Sequence, residues 1–140
     1  MRVFLDANVI FSAAYRETGS VRVFFALAEV GACELVTSGY AADEARRNIR
    51  AKHPARLDEL ESLVGRIALC GEPAPETLAW AVSHHLPSKD APILAAAVDA
   101  RCHLLVTGDK MHFGALYGRK LRGTVVVMPV DAVELLVGGG

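Results

Sequence analysis

Short runs of mainly apolar residues alternate with longer amphipathic segments along this chain. The short runs predict buried strands, at residues 3–5, 34–36, 67–69, 104–106 and 124–128. In the longer segments apolar residues recur at helical spacing, which predicts helices at residues 21–30, 40–51, 54–65, 76–84, 90–100 and 131–137. Apolar strands separated by helices are typical of a parallel sheet covered on both faces, so the pattern indicates an α/β fold.

The length of 140 residues is that of one domain. No internal repeat or linker divides the sequence. Residues 1–137 are therefore predicted to form a single domain, and the three glycines at residues 138–140 a flexible tail. Because 52% of the residues are hydrophobic, the chain can bury enough apolar surface to fold, and intrinsic disorder is excluded.

The same composition does not indicate a membrane protein. No run approaches the roughly 18 apolar residues that a membrane-spanning helix needs. Asp6 interrupts the first apolar stretch, which argues against a signal peptide. Cys33, Cys70 and Cys102 are far apart and have no metal-binding spacing, so we expect reduced thiols in a cytoplasmic protein.

Two of the predicted strands are followed by an aspartate. Asp6 comes directly after the strand at residues 3–5, and Asp109 follows the strand at residues 104–106. The carboxyl ends of parallel strands share one edge of a sheet, so these carboxylates can approach each other if both strands are central. The alternative is that each aspartate only begins a turn.

Helical angles place two more acids. In the helix predicted at residues 40–51, Glu44 lies at the edge of the apolar stripe, whereas Asp43 points toward solvent. Asp90 lies in line with the apolar face of its helix, although it could equally be an N-cap. Carboxylates gathered in one place repel one another unless cations neutralise them, and oxygen ligands favour Mg²⁺ or Mn²⁺. Such centres serve phosphoryl transfer.

Four segments of the sequence together resemble a known family. They are residues 4–10 (FLDANVI), 38–44, 89–97 (KDAPILAAA) and 105–110 (LVTGDK). In this order and at this spacing they resemble the PIN-domain nucleases, and most of all the toxin nucleases of toxin–antitoxin pairs. The resemblance covers nearly the whole chain.

The resemblance implies a three-layer α/β/α sandwich around a four- or five-stranded parallel sheet, and Mg²⁺- or Mn²⁺-dependent endonucleolytic cleavage of RNA with one or two ions. It also implies three partners, namely an RNA substrate, a small antitoxin and a second copy of the chain in a homodimer. The family's catalytic, metal-binding acids fall on Asp6, Glu44, Asp90 and Asp109. Its small polar positions fall on Asn8 and Thr107, which we expect either to orient the carboxylates or simply to form turn hydrogen bonds.

The net charge of −1 conceals clusters of positive charge. Residues 45–57 and 110–130 contain basic residues but no acid. Within them four side chains are predicted to contact an RNA backbone: Arg46, Arg47, Arg50 and Lys110. An ordinary solvated helix face is the alternative. The five histidines are scattered, and we expect no catalytic histidine.

Other classes of function fit parts of the pattern. A non-catalytic RNA- or protein-binding module could share the fold, but it would not need four acids. A PIN ribonuclease of RNA processing, without an antitoxin, would need them. An aspartyl-phosphate phosphatase would place a second aspartate where Asn8 stands, and the chain has no room for a cap domain. A metal-dependent endoribonuclease, acting as a toxin, is therefore the main hypothesis.

Overall fold

The computed structural model describes residues 1–138, in which one sheet lies between two layers of helices. The strands are β1 (Arg2–Leu5), β2 (Glu34–Ser38), β3 (Ala68–Cys70), β4 (Leu104–Val106), β5 (Lys120–Leu121) and β6 (Thr124–Val127). The helices are α1 (Ala7–Tyr15), α2 (Val23–Glu29), α3 (Gly39–Lys52), α4 (Leu57–Val64), α5 (Pro75–Val82), α6 (Ala91–Asp99), α7 (Lys110–Phe113) and α8 (Pro129–Gly138). Of the predicted glycine tail, Gly138 ends α8, and residues 139–140 lie outside the described residues.

The six strands follow the order β3-β2-β1-β4-β6-β5. All neighbouring strands are parallel except β5, which pairs with β6 in the antiparallel sense. The prediction of an α/β fold on a parallel sheet is confirmed, but the sheet has one more strand than expected. That strand, β5, has only two residues and forms by pairing with β6, so it leaves no hydrophobic pattern of its own.

Alternate residues of each strand enter the two helical layers. Val3 and Leu5 of β1 pack into a core with α1, α2, α4 and α8, while Phe4 packs into a second core with α5 and α6. This alternation follows from the period of two along a strand. It produces the three layers that the family resemblance implied.

Two helices were not predicted, and both follow an aspartate of interest. Helix α1 is almost wholly apolar and buries Ala7, Val9 and Ile10, so it lacks the polar face that identifies an amphipathic helix. Helix α7 has only four residues, too few to show a period. Within residues 1–138, no helix is long and apolar enough to cross a membrane. All three cysteines are free thiols.

The strand order reverses direction at the centre of the sheet, between β1 and β4. From β1 the chain passes to β2 on one side and later returns to β4 on the other. Leu5 pairs with Val106, and the Asp6 N–H donates a hydrogen bond to the Val106 carbonyl at 3.0 Å. Ligand sites of α/β folds lie at such points, beyond the carboxyl ends of the strands. Asp6 therefore stands at the position where the fold provides a site.

Candidate metal centre

The carboxylate of Asp6 is buried and held by three hydrogen bonds. It is the N-cap of α1, and its Oδ1 accepts a hydrogen bond from the Ala7 N–H at 2.7 Å. Its Oδ2 accepts from the Thr107 hydroxyl at 2.9 Å and from the Asn8 amide at 3.2 Å. The side chain is thus fixed in position where the sheet ends.

This environment resists ionisation of Asp6. Burial raises its pKa from 3.8 to about 6, and the negative charges of Glu44 and Asp90 add to the effect. The hydrogen bonds from Thr107 and Ala7 act in the opposite direction and are outweighed. A bound cation would favour the charged form, so a carboxylate with these surroundings is suited to a metal ligand.

Asn8 and Thr107 connect the β1 end of the sheet to the β4 end. Besides its bond to Asp6, the Asn8 amide lies 3.3 Å from the Thr107 hydroxyl, and the Asn8 Oδ1 accepts from the Gly108 N–H at 2.9 Å. The Thr107 hydroxyl in turn accepts from the Asp109 N–H at 3.2 Å. The two polar residues therefore join both aspartates in one hydrogen-bond network.

Glu44 and its neighbour Asp43 lie on different sides of α3. Glu44 is half-buried and lines a cavity of about 430 Å³ together with Asn8 and Asp109. Asp43 is exposed and forms an ion pair with Arg46. The geometry agrees with the helical-angle argument, which chose Glu44 as the acid facing the sheet.

Tyr40 connects the helix of Glu44 to the segment of Asp90. Its hydroxyl donates a hydrogen bond to the Lys89 carbonyl at 2.7 Å, directly before Asp90. Burial raises the pKa of Tyr40, and the charges of Glu44 and Asp90 contribute to this. The tyrosine thus lies close to both acids and fixes α3 relative to α6.

Asp90 is buried without a hydrogen bond to one of its oxygens. It precedes α6 but makes no side-chain capping bond, so the N-cap alternative does not explain it. Its side chain is 9% exposed, and Oδ2 has no hydrogen-bond partner among the described residues. Burial raises its pKa, Asp109 contributes, and His112 and Lys89 oppose the rise. A buried carboxylate oxygen without a partner is costly unless something absent from the protein itself satisfies it.

Asp109 begins α7 and brings His112 into the cluster. Its Oδ1 accepts from the His112 N–H at 3.2 Å, while its Oδ2 lies 2.7 Å from the His112 Nδ1. The same Nδ1 is 3.0 Å from Asp90 Oδ2. We did not predict a histidine here. The signal was the spacing of three residues after Asp109, which places both side chains on one face only if a helix starts at that point.

The four predicted acids come from four different segments and converge at one edge of the sheet. The charges of Glu44 and Asp90 act on Asp6, and that of Asp109 acts on Asp90. Carboxylate oxygens suit a hard divalent cation, and the unpartnered Asp90 oxygen is an available ligand. The donor set therefore fits Mg²⁺ or Mn²⁺.

The predicted RNA-contacting cations differ in their surroundings. Arg46 lies between Asp43 and Glu61, with N–O distances of 2.8 and 2.9 Å, so its charge is already matched within the protein. Arg47 and Arg50 are exposed on α3, and Lys110 is exposed beside Asp109. The geometry thus favours these three over Arg46 as contacts for a polyanion.

Comparisons with known proteins agree with this architecture. A family model described as PIN domain matches residues 2–111. No curated protein sequence matches significantly. The fold is similar to that of VapBC2 from Rickettsia felis bound to a DNA fragment from its promoter, with a TM-score of 0.67 and 13% identity over 91% of this chain and 98% of that chain.

Two further solved structures have the same fold. VapBC-1 from nontypeable Haemophilus influenzae matches with a TM-score of 0.61 and 16% identity, over 93% of this chain and 99% of that chain. FitAcB from Neisseria gonorrhoeae matches with a TM-score of 0.59 and 21% identity, over 91% and 98%. At these identities the likeness establishes the fold.

Proposed function

The chain belongs to the PIN domain family, and on this premise we propose that it is a metal-dependent endoribonuclease. The observation that carries the proposal is the convergence of Asp6, Glu44, Asp90 and Asp109 at the carboxyl edge of the sheet. Hydrogen bonds through Asn8 and Thr107 connect Asp6, at the end of β1, to Asp109, at the start of α7. A binding module would have no use for a buried, unpartnered carboxylate oxygen such as that of Asp90.

The four acids would hold one or two Mg²⁺ or Mn²⁺ ions. When bound, such a cation polarises a phosphodiester and activates water to attack it. When no cation is bound, the negative charge of the carboxylates repels phosphate groups from this edge of the sheet. Cation binding and substrate binding should therefore be coupled.

The residues around the acids keep their oxygens in fixed directions. The Thr107 hydroxyl and the Asn8 amide both donate to Asp6 Oδ2, and the start of α7 holds Asp109 through Oδ1. Such partners of metal ligands typically contribute 10- to 100-fold to metal affinity or activity. Their role here is to present the ligand oxygens without rearrangement.

The substrate is proposed to be RNA, held through its phosphates. Arg47 and Arg50 are exposed on α3, the helix that carries Glu44, and Lys110 directly follows Asp109, so these side chains would contact a polyanionic backbone. Contacts of this kind position a strand but do not read its sequence. Choice of a particular RNA would then come from its shape rather than from these three cations.

We further propose a role as the toxin of a toxin–antitoxin pair. The motifs resemble the toxin nucleases most closely, and the structures that share the fold are named VapBC and FitAcB. An antitoxin, a homodimeric state and a cytoplasmic location belong to this proposal. Expression of this chain should arrest growth, and co-expression of a small antitoxin from a neighbouring reading frame should relieve the arrest. Normal growth during expression of this chain alone would contradict the toxin role, and arrest that persists despite complex formation would contradict the antitoxin role of the partner.

Adjacent acids on α3 provide a matched test of the nuclease. Purified protein should cut single-stranded RNA with Mn²⁺ and stop on addition of chelator. Glu44→Gln should lower the rate by about a hundredfold, since it removes a ligand charge, whereas Asp43→Asn should cut normally. Circular dichroism would verify that both variants fold. Cleavage that continues in chelator and in Glu44→Gln would refute the proposal.

Metal titration separates the nuclease from a non-catalytic module of the same fold. Calorimetry should detect Mn²⁺ binding to the native chain and none to Asp90→Asn. If the native chain binds RNA but no Mn²⁺, a binding module is the correct interpretation.

A further inference from the structure

One nitrogen atom lies among the oxygens of the acidic cluster. The His112 Nδ1, a carboxylate oxygen of Asp90 and one of Asp109 all lie within 4.8 Å of one another. The imidazole is held there because His112 follows the N-cap Asp109 by three residues at the start of α7. Its side chain is 25% exposed, so it lies at the border between the buried acids and solvent.

The distances in this group match those between ligands of one cation. Ligand atoms about 2.1 Å from a six-coordinate ion are separated by about 3 Å when they are adjacent. The Nδ1 of His112 is 2.7 Å from Asp109 Oδ2 and 3.0 Å from Asp90 Oδ2. An ion could therefore bind all three atoms with only small side-chain adjustments.

Hydrogen bonds within the protein do not satisfy every polar atom of this group. When Nδ1 carries a hydrogen, that hydrogen can be directed to one acceptor, and the nearer oxygen is Asp109 Oδ2 at 2.7 Å. Asp90 Oδ2, although only 3.0 Å away, has no hydrogen bond. Of the three buried side-chain atoms without partners in residues 1–138, it is the only acceptor. A cation in place of the proton would satisfy both oxygens and the nitrogen together.

We propose that His112 is a nitrogen ligand of the cation bound by Asp90 and Asp109, and that it makes the centre select Mn²⁺ over Mg²⁺. Mg²⁺ binds oxygen almost exclusively, whereas transition metals accept imidazole more readily. The four acids alone would not distinguish the two ions in this way. The inference rests on the cation binding of the proposed function but not on RNA cleavage.

Pulsed electron paramagnetic resonance tests the ligand directly. The native protein loaded with Mn²⁺ should show coupling of the metal electrons to a nitrogen nucleus, and incorporation of ¹⁵N-histidine should change its isotope pattern. The coupling should disappear in His112→Gln and persist in His85→Asn, which alters an exposed histidine in the turn after α5. Because the signal of the native protein needs no variant, the test does not depend on the folding of His112→Gln.

Binding constants test the selectivity. In calorimetry His112→Gln should bind Mn²⁺ about tenfold more weakly, while its Mg²⁺ affinity should change less than about threefold. Equal weakening for both ions would mean that His112 only positions Asp109, and would overturn the inference. Mn²⁺ binding without nitrogen coupling would also overturn it but would leave the proposed nuclease intact. Absence of Mn²⁺ binding would refute both, whereas Mn²⁺ binding without RNA cleavage would refute the nuclease alone.

Discussion

Asp6→Asn should remove a pH-dependent loss of stability from the metal-free protein and abolish its response to metal. In the folded chain burial raises the Asp6 pKa to about 6, compared with 3.8 for an exposed aspartate. A difference of this size corresponds to about 3 kcal/mol between the protonated and ionised states. Asparagine cannot ionise. Its carbonyl can still accept the hydrogen bond from the Ala7 N–H, but its amide nitrogen cannot accept the bonds from Thr107 and Asn8. The loss of those bonds is the same at every pH, so the test is the pH dependence of the difference between the two proteins and not its sign at one pH.

The sign of the pH dependence follows from the raised pKa. Below pH 3.8 Asp6 is protonated in both the folded and unfolded states. Between pH 3.8 and about 6 the unfolded chain has released the proton and the folded chain has kept it, so the free energy of unfolding falls as the pH rises. Above about pH 6 the loss is complete. The native protein should therefore lose about 3 kcal/mol relative to Asp6→Asn across this window.

Urea unfolding in the presence of chelator measures this difference. The free energies of native protein and variant should be compared at pH 4, 5, 6 and 7, because the comparison removes the contributions of titrating groups that do not interact with Asp6. At pH 7 saturating Mn²⁺, at about 100 times its dissociation constant, should add about 2.7 kcal/mol to the native protein and nothing to Asp6→Asn. A difference between the two proteins that stays constant from pH 4 to pH 7 would refute the reasoning.

Three further changes probe the surroundings of the site. Thr107→Val keeps the shape of the side chain but removes the hydroxyl bonded to Asp6. We expect the free energy of unfolding in urea to fall by about 1–3 kcal/mol and calorimetry to show about tenfold weaker Mn²⁺ binding. Unchanged Mn²⁺ affinity would contradict the orienting role. Tyr40→Phe removes the hydroxyl that connects α3 to the loop before α6, and thermal unfolding should report a loss of about 1 kcal/mol. Replacing Arg47 and Arg50 by Ala should reduce the salt dependence of RNA binding, measured as the slope of log affinity against log salt, by about 1.4 for a single strand; an unchanged slope would show that neither residue contacts phosphate.

The sequence alone was sufficient to predict the features that depend on residues close together in the chain. The apolar runs located β1 and β4, and the positions of Asp6 directly after β1 and of Asp109 three residues after β4 followed from chain order alone. The choice of Glu44 over Asp43 required only the angle between successive residues of a helix. These features depend on spacing within a few residues, so they can be read from the chain.

Features that depend on tertiary packing could not be predicted in this way. Arg46 is matched by Glu61 because α3 packs against α4, and the sequence does not show which helices touch. Asp90 could be an N-cap or a ligand on sequence grounds, and only its missing hydrogen bond separates the two. His112 joins the site through a helix of four residues, which is too short to show a helical pattern in the sequence.

The hydrogen bond between Asp6 and Thr107 joins residues 101 positions apart in the chain. Within this domain Asp6 is synthesised early, but the hydroxyl that fixes its carboxylate emerges only after most of the domain has been made. Domains fold as units during synthesis, so the centre forms late. A nascent chain that stops before residue 104 carries three of the acids, Asp6, Glu44 and Asp90, but lacks β4, the strand that pairs with β1 beside Asp6. The proposed cation site therefore forms only after β4 and the start of α7 have been synthesised.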